Sequence, residues 1–409
     1  MSLQATPSSD RIHIGIFGKR NAGKSSVINA VTGQNLAIVS DVKGTTTDPV
    51  SKAMELLPLG PVVIIDTPGL DDQGELGLLR VKKSYQVLHK TDIAVLVIDG
   101  AAGADEAEEK ILKRFLEKQI PYVVAVNKAE LLDDAQKEKI RKQFSEEKHL
   151  IFVSAQEGWN IRELKEMIAG CLVQEEHKAR IVGDLLEPSD LVLLVVPVDS
   201  AAPKGRLILP QQQTIRDILE ADAVSVVVKE HMLSETLGKL QEKPRLVITD
   251  SQVFRSVSKD TPEDILLTSF SILFARYKGN LPELVRGVTK LDHLKDGDRI
   301  LISEGCTHHR QCDDIGSVKL PNWIRTYTGK ELCFAFSSGT EFPEELEEYA
   351  MVIHCGGCML NEREMKYRIR YAADLGIPIT NYGICIAYMN GILKRSLEPF
   401  PEISSILQG

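Results

Sequence analysis

The sequence contains no apolar run long enough to cross a membrane. The run from Leu191 to Val198 is among the longest, and it is far shorter than the roughly 20 residues that a membrane-spanning helix requires. The first ten residues also lack the apolar stretch of a secretory signal, and we expect them to form a short disordered arm. These absences predict a cytoplasmic protein with no membrane partner.

The sequence also has no excess of basic residues. The formal net charge is −9, whereas nucleic-acid-binding domains normally carry a basic stripe, so we expect no nucleic-acid partner. Cysteine is scarce as well, with seven in 409 residues. Because no export signal is evident, these cysteines are better explained as free thiols or metal ligands than as a disulfide framework.

The order of apolar runs predicts an α/β protein. From about residue 11 to 175, short apolar strands alternate with amphipathic helices, a pattern typical of a parallel sheet with helices on both faces. Two smaller α/β units of Rossmann-like character follow, and the third is expected to begin with a helix over Glu263–Tyr277. The predicted domains are 1–177, 178–262 and 263–409.

A phosphate-binding loop stands between the first strand and the first helix. It runs Gly18-Lys-Arg-Asn-Ala-Gly23-Lys24-Ser25, and its glycines let backbone N–H groups surround phosphate at a helix N-terminus. We expect Lys24 to reach the β- and γ-phosphates and Ser25 to ligate magnesium. The residues expected to contact nucleotide here are Gly18, Asn21, Ala22, Gly23, Lys24, Ser25 and Ser26. The first domain is therefore predicted to have the doubly wound sheet of a P-loop GTPase.

Further GTPase elements follow in the expected order. Asp66-Thr-Pro-Gly69 comes after a buried strand and is predicted to place Asp66 near magnesium and Gly69 near the γ-phosphate. The segment Gly44-Thr-Thr46-Thr-Asp48 resembles the switch of Era- and TrmE-like GTPases, which makes Thr46 the magnesium-sensing threonine. Lys24, Thr46 and Asp66 are the predicted catalytic residues.

Two segments are predicted to bind the guanine base. Asn127-Lys128-Ala-Glu130 resembles the guanine-specific Asn-Lys-x-Asp motif, with a glutamate in place of the usual aspartate. The glutamate keeps the carboxylate of the motif, but its longer side chain places that group one methylene further from the backbone. Ser154 and Ala155 end a later strand, where GTPases make backbone contacts to the base.

Hydrolysis is expected to be slow and dependent on a monovalent cation. Leu70 stands where Ras-like switches carry a water-orienting glutamine, and unassisted hydrolysis in such switches is on the order of 10⁻⁴ s⁻¹. Asn21 resembles the asparagine of potassium-activated relatives, so we expect it to help bind potassium.

A metal-ligand pattern lies in the third domain. Cys306-Thr-His308 follows one strand, and His354-Cys355-Gly-Gly-Cys358 ends and follows another. If these strands are parallel, both groups emerge at the carboxyl edge of one sheet. Three thiolates with a weaker fourth ligand suit an iron–sulfur cubane, and a Cys3His zinc site fits the same residues. Outside the pattern, Cys171, Cys333 and Cys385 are expected in the core, although Cys385 follows a strand closely enough to approach this edge.

Together these motifs resemble the FeFe-hydrogenase maturation GTPases, the HydF family, across essentially the whole chain. The resemblance implies an N-terminal GTPase domain, a middle dimerisation domain and a C-terminal domain with a 4Fe–4S cluster. It implies that Cys306, Cys355 and Cys358 are cluster ligands. The exchangeable fourth ligand is then His308, His354 or Glu304.

The resemblance also implies the partners and cofactors. Such proteins use GTP with magnesium, receive a di-iron precursor from two radical-SAM maturases and deliver it to apo FeFe-hydrogenase. A homodimer is expected. Two alternatives share some of these motifs: an RNA- or ribosome-associated GTPase with a structural zinc domain, and a GTP-dependent chaperone for single metal ions.

Overall fold

The computed structural model describes residues 6–33, 49–70, 83–144, 147–171, 180–197, 207–305, 315–339 and 342–408. The chain divides into two compact units, residues 1–177 and 178–409. The further division predicted at residue 262 stays a prediction. Among the described residues, no helix combines the length and apolar character needed to cross a bilayer.

The first unit is built on a six-stranded sheet in the order β2-β3-β1-β4-β5-β6. Five of its strands are parallel, and β2 pairs antiparallel with β3 at the edge. Sequence analysis missed β2 because most of its side chains are exposed and Lys52 interrupts the apolar face formed by Val50, Met54 and Leu56. The strands are β1 Ile12–Phe17, β2 Val50–Leu56, β3 Gly60–Asp66, β4 Ile93–Asp99, β5 Tyr122–Asn127 and β6 Leu150–Phe152.

Helices on this sheet enclose two separate apolar cores, as the doubly wound arrangement predicts. Two of the helices begin with capping boxes, in which Asp105 and Asp133 accept hydrogen bonds from first-turn amides. The labelled helices are α1 Lys24–Thr32, α2 Glu106–Glu117, α3 Asp134–Gln143 and α4 Ile161–Gly170.

The second unit contains two four-stranded sheets, both fully parallel. Their orders are β10-β9-β7-β8 and β12-β11-β13-β14, and one continuous apolar core extends through both. The predicted α/β class is therefore confirmed. The strands are β7 Leu191–Val195, β8 Val224–Val228, β9 Leu246–Thr249, β10 Leu266–Ser269, β11 Arg299–Glu304, β12 Cys333–Ser338, β13 Met351–His354 and β14 Ile379–Asn381.

The helix predicted over Glu263–Tyr277 is wrong in its first half. Residues Leu266–Ser269 form strand β10, and the helix begins only at Phe270. The hydroxyl of Ser269 accepts a hydrogen bond from the Ile272 amide and so fixes the start of this helix. The helices of this unit are α5 Leu209–Leu219, α6 Leu233–Lys239, α7 Phe254–Asp260, α8 Phe270–Lys278, α9 Leu281–Val288, α10 Leu320–Thr328, α11 Glu362–Asp374, α12 Tyr382–Met389, α13 Leu393–Ser396 and α14 Pro401–Ser404.

Candidate functional site

The phosphate loop has the backbone that anion binding requires. Gly18 has a φ of 146°, and a Cβ there would lie 2.2 Å from the carbonyl oxygen of Val97. Gly23 has a φ of 90°, and a Cβ there would lie 2.2 Å from Nδ2 of Asn127. Because both positions exclude side chains, only glycine allows the loop to curl between the sheet and helix α1.

Lys24 lies against this loop. Its Nζ donates hydrogen bonds to the carbonyl oxygens of Gly18 at 2.9 Å and Lys19 at 2.8 Å. Lys19 in turn forms ion pairs with Asp105 at 2.5 Å and the buried Glu108 at 3.0 Å. Lys19 thus attaches the loop to the N-terminus of α2. The ammonium group of Lys24 lies against the carbonyl oxygens of the loop.

The residues expected near magnesium lie together. The Ser25 hydroxyl donates to Oδ2 of Asp66 at 3.2 Å. Oδ1 of Asp66 is buried and accepts no hydrogen bond from the part of the chain that the structure describes. Burial raises the pKa of the Asp66 carboxyl, and the Lys24 charge opposes this rise. A hydroxyl beside a buried carboxylate with a free oxygen fits a hard cation such as Mg²⁺. Thr46 lies outside the described residues.

Asn127 connects the phosphate loop with the later base-binding segment. Its Nδ2 donates to the carbonyl of Ala22, and its Oδ1 accepts from the amide of Ala155, both at 3.1 Å. The side chain is only 3% exposed. Ser154, the residue before Ala155, is fully buried, and its hydroxyl accepts from the Glu157 amide.

The two other side chains predicted to bind the base, Lys128 and Glu130, follow Asn127 in the chain. Lys128 has a positive φ of 62°, and its Nζ pairs with Asp99 at 2.5 Å. Oε2 of Glu130 is buried without a hydrogen-bond donor among the described residues. An unsatisfied buried carboxylate oxygen is costly unless a ligand supplies donors. The Watson–Crick edge of guanine has two such N–H donors.

The remaining loop and switch positions differ in exposure. Leu70 is packed in the apolar core, and its amide donates to the Gly18 carbonyl at 3.3 Å. It therefore presents no polar group to a hydrolytic water. Gly69 is buried beside it, whereas Asn21 and Ser26 are exposed, and Asn21 has a φ of 62°.

In the second unit, the described cysteines of the metal pattern lie at the carboxyl edge of one sheet. Strands β11 and β13 are parallel, with Ser303 paired to His354. The amide of Gly305 donates to Sγ of Cys355 at 3.0 Å, and the amide of Gly357 donates to the same sulfur at 3.4 Å. The sulfur therefore lies within hydrogen-bond reach of the residue that precedes Cys306.

The other proposed ligands are only partly described. Cys306 and His308 lie outside the described residues. Within the described ranges, no three His, Cys, Asp or Glu side chains gather closely enough to hold a metal ion.

The turn that carries Cys355 and Cys358 is tightly packed. A Cβ at Gly305 would lie 2.8 Å from Cγ of Leu360, and a Cβ at Gly357 would lie 2.4 Å from Sδ of Met365. Burial raises the pKa of the Cys358 thiol. Two cysteines with two residues between them, in a turn whose amides point at sulfur, fit thiolate ligation of zinc or an iron–sulfur cluster.

His354 makes hydrogen bonds through both ring nitrogens. Nε2 accepts from Nη1 of Arg368 at 3.0 Å, so Nδ1 carries the proton and donates to the Cys355 carbonyl at 2.7 Å. Burial and the Arg368 charge lower the pKa of this imidazole to about 3. Ligation by His354 would therefore require one of these bonds to break.

Glu304 keeps more freedom to act as a ligand. It ends strand β11, is 5% exposed, and accepts a hydrogen bond from the Tyr382 hydroxyl at 3.3 Å on one oxygen. It lies two residues before Cys306.

Sequence analysis missed Arg368 and Glu364, two buried residues that support the carboxyl edge of this sheet. Arg368 is fully buried, donates to Oε1 of Glu364 at 2.8 and 2.9 Å, and also donates to the Gly339 carbonyl. A single arginine in an amphipathic helix gives no sequence signal of this role. The spacing of Glu364 and Arg368, one helical turn apart, was the only available hint.

The cysteines outside the pattern divide between core and surface. Cys171 and Cys385 are buried, and burial raises the pKa of the Cys385 thiol to about 12. The expectation of a core position for Cys333 is wrong, because it begins the edge strand β12 and is exposed.

Three family models match the chain. The model described as 50S ribosome-binding GTPase matches residues 13–128. The Hydrogen maturase F dimerization domain matches 181–279, and the Hydrogen maturase F tetramerization domain matches 282–399.

Several curated proteins are similar to the GTPase part. GTPase Der of Kosmotoga olearia is 30% identical over 211 residues, covering 48% of this chain and 47% of that protein. The tRNA modification GTPase MnmE of Heliobacterium modesticaldum is 35% identical over 154 residues, covering 37% of this chain and 32% of that protein. The chain thus spans half or less of the length of these relatives. A crystal structure of an Aquifex aeolicus Era variant bound to GDP.AlF4- aligns at 20% identity with a TM-score of 0.35, covering 53% of this chain and 92% of that one.

Proposed function

This chain belongs to the hydrogen maturase F family, and we propose that it is a GTP-hydrolysing scaffold that holds a 4Fe–4S cluster and carries a di-iron precursor. The two hydrogen maturase F matches together cover more than half of the 409 residues. The observation that carries the nucleotide half is the buried Oε2 of Glu130, which has no hydrogen-bond donor among the described residues, together with the formed phosphate loop. The observation that supports the metal half is the Cys355–Cys358 turn at the carboxyl edge of a parallel sheet.

The proposed roles in GTP hydrolysis follow from these positions. Lys24 exchanges its two loop carbonyls for phosphate oxygens and stabilises the charge that develops on them. Ser25 and Thr46 would hold magnesium, with Asp66 supporting the site through its hydrogen bond from the Ser25 hydroxyl. Because Leu70 offers no polar group, positioning of water depends on other groups, and we expect slow turnover.

Potassium is the proposed source of additional positive charge. Asn21 is exposed at the mouth of the phosphate loop, where its side-chain oxygen can ligate a monovalent cation. We expect faster GTP hydrolysis in potassium chloride than in sodium chloride of equal ionic strength. Asn21→Ala should remove this difference and leave the rate in sodium unchanged. Equal native rates in the two salts would contradict the assignment.

In the metal half, Cys306, Cys355 and Cys358 are the proposed cluster ligands. A cluster held by these residues would supply one iron with an exchangeable fourth ligand. Because both nitrogens of His354 already make hydrogen bonds, Glu304 and His308 are the better candidates for that ligand. We propose that two radical-SAM maturases supply the precursor and that apo FeFe-hydrogenase receives it.

Self-association is proposed to use the edge of the first four-stranded sheet. Strand β8 is an edge strand, and its Val224 and Val227 are 49% and 44% exposed. It lies within the region that matches the dimerization domain. An exposed apolar edge strand can pair with a second copy, whereas charges on it oppose pairing. Val227→Lys should therefore shift the chain from dimer to monomer in sedimentation.

The function is tested by anaerobic reconstitution with iron and sulfide, followed by metal analysis and electron paramagnetic resonance. The native chain and Cys333→Ala should each bind a cubane cluster, because Cys333 is exposed outside the site. Cys306→Ala, Cys355→Ala and Cys358→Ala should each lose its signal. One tightly held zinc ion in the native chain would favour the RNA-associated GTPase instead.

Delivery is tested with the loaded native chain and apo FeFe-hydrogenase. Hydrogenase activity should appear with the native chain and Cys333→Ala, and should be lost with Cys355→Ala. Equal activation by all three proteins would overturn the carrier role.

A further inference from the structure

A buried lysine lies against the turn that follows Cys358. Lys278 is the last residue of helix α8, and only 3% of it is exposed. Its Nζ donates to the carbonyl oxygen of Leu360 at 3.4 Å and lies 5.9 Å from the centre of the Phe274 ring. A cationic side chain is therefore held beneath the turn that carries one of the proposed cluster ligands.

The Lys278 ammonium contacts the Cys358 turn through the carbonyl oxygen of Leu360, two residues after the cysteine, and almost none of the lysine is exposed to water. A nearby cation stabilises negative charge, and the effect is stronger where water is excluded. The sulfur of Cys355, at the start of the same turn, accepts hydrogen bonds from the backbone amides of Gly305 and Gly357.

We propose that Lys278 is a positioning residue for the metal centre, whose ammonium stabilises the negative charge brought to the Cys358 turn and favours the reduced cluster. This inference rests on the proposed cluster-binding function. Reduction of a thiolate-ligated cluster by one electron adds one negative charge, so a fixed cation beside it raises the reduction potential. Net charge and hydrogen bonds near the sulfurs are known to set such potentials.

The test uses the full-length chain, reconstituted anaerobically and titrated with a reductant while the cubane signal is followed. Lys278→Met should lower the equilibrium constant for reduction threefold to tenfold, where tenfold corresponds to about 59 mV for one electron. Lys278→Arg should retain most of the native value. Lys295→Met is the matched control, because Lys295 is exposed and precedes β11 at the opposite edge of the sheet; its potential should equal the native one.

A second variant separates charge from structure. Lys278→Gln keeps a donor for the Leu360 carbonyl but has no charge, so it should also lower the reduction potential. If Lys278→Met does not fold, the potential of Lys278→Gln tests the role of the charge. A native chain without a cluster would overturn the proposed function and this inference with it. A normal cluster with an unchanged potential in both neutral variants would overturn this inference alone.

Discussion

The side chain of Asn127 donates a hydrogen bond to the carbonyl oxygen of Ala22, across 105 positions of sequence and at a distance of 3.1 Å. Through its oxygen it also holds the amide of Ala155. One buried amide thus joins the phosphate loop, the end of strand β5 and the segment after strand β6. Substitution of residues proposed to bind the base should therefore also alter the conformation of the phosphate loop.

Asn127→Ala should weaken GTP binding at least tenfold and lower the free energy of unfolding of the first unit by about 1–3 kcal/mol. Two buried hydrogen bonds are lost, and their backbone partners are left unsatisfied. Fluorescent-nucleotide titration and urea unfolding measure the two effects. Asn127→Asp is the control, because it keeps the acceptor for Ala155 and loses only the donor to Ala22. Native GTP affinity in Asn127→Ala would contradict the linking role.

Glu130→Gln should weaken GTP binding by about 10² or more while binding of xanthosine triphosphate improves. In the proposed site the carboxylate accepts two N–H groups of guanine, and hydrogen bonds to a charged acceptor contribute about 1.5–3 kcal/mol each. The amide offers a donor instead, which suits the carbonyl at C2 of xanthine. Competition binding of the two nucleotides measures the ratio. Glu130→Asp is the control and should keep the preference for guanine; an unchanged ratio in Glu130→Gln would show that Glu130 does not contact the base.

Arg368→Met should destabilise the second unit by about 3–5 kcal/mol, because it leaves the buried Glu364 carboxylate without its cationic partner. Urea unfolding followed by circular dichroism gives the value. The double variant Glu364→Gln with Arg368→Met should recover part of the loss, since no unpaired charge remains. If the double variant is no more stable than the single one, the ion pair is not the source of the effect.

The first unit should lose stability as the pH falls below about 6.5 because of His89. Burial, together with the neighbouring Lys118 charge, lowers the pKa of His89 to about 3. Between pH 3 and the ordinary pKa of 6.5, His89 binds a proton in the unfolded chain but not in the folded chain. The free energy of unfolding therefore decreases as the pH is lowered. By pH 5 the loss should approach about 2 kcal/mol at most.

Urea unfolding of the native chain and of His89→Asn across pH 7 to 5 checks this expectation. The variant should show a flatter pH profile, because its side chain does not titrate in this range. Identical slopes for the two proteins would exclude His89 as the cause.

Each failure of sequence prediction has its own physical cause. Strand β2 escaped because an antiparallel edge strand with exposed side chains needs no apolar alternation. Strand β10 was assigned to a helix because four residues are too short for periodicity to distinguish the two. Cys333 was placed in the core because an apolar run does not show that its strand lies at a sheet edge.

The sequence by itself determined the nucleotide chemistry, the α/β class and the thiol pattern. These depend on short local motifs, such as Gly18–Ser25 and Cys355–Cys358, whose residue types and spacing are dictated by phosphate and metal binding. Only the tertiary structure decided that both nitrogens of His354 make hydrogen bonds, that Arg368 pairs with Glu364 behind it, and that Lys278 lies beneath the cysteine turn. Such contacts depend on which buried side chains the packing of distant segments brings together, and no local pattern encodes them.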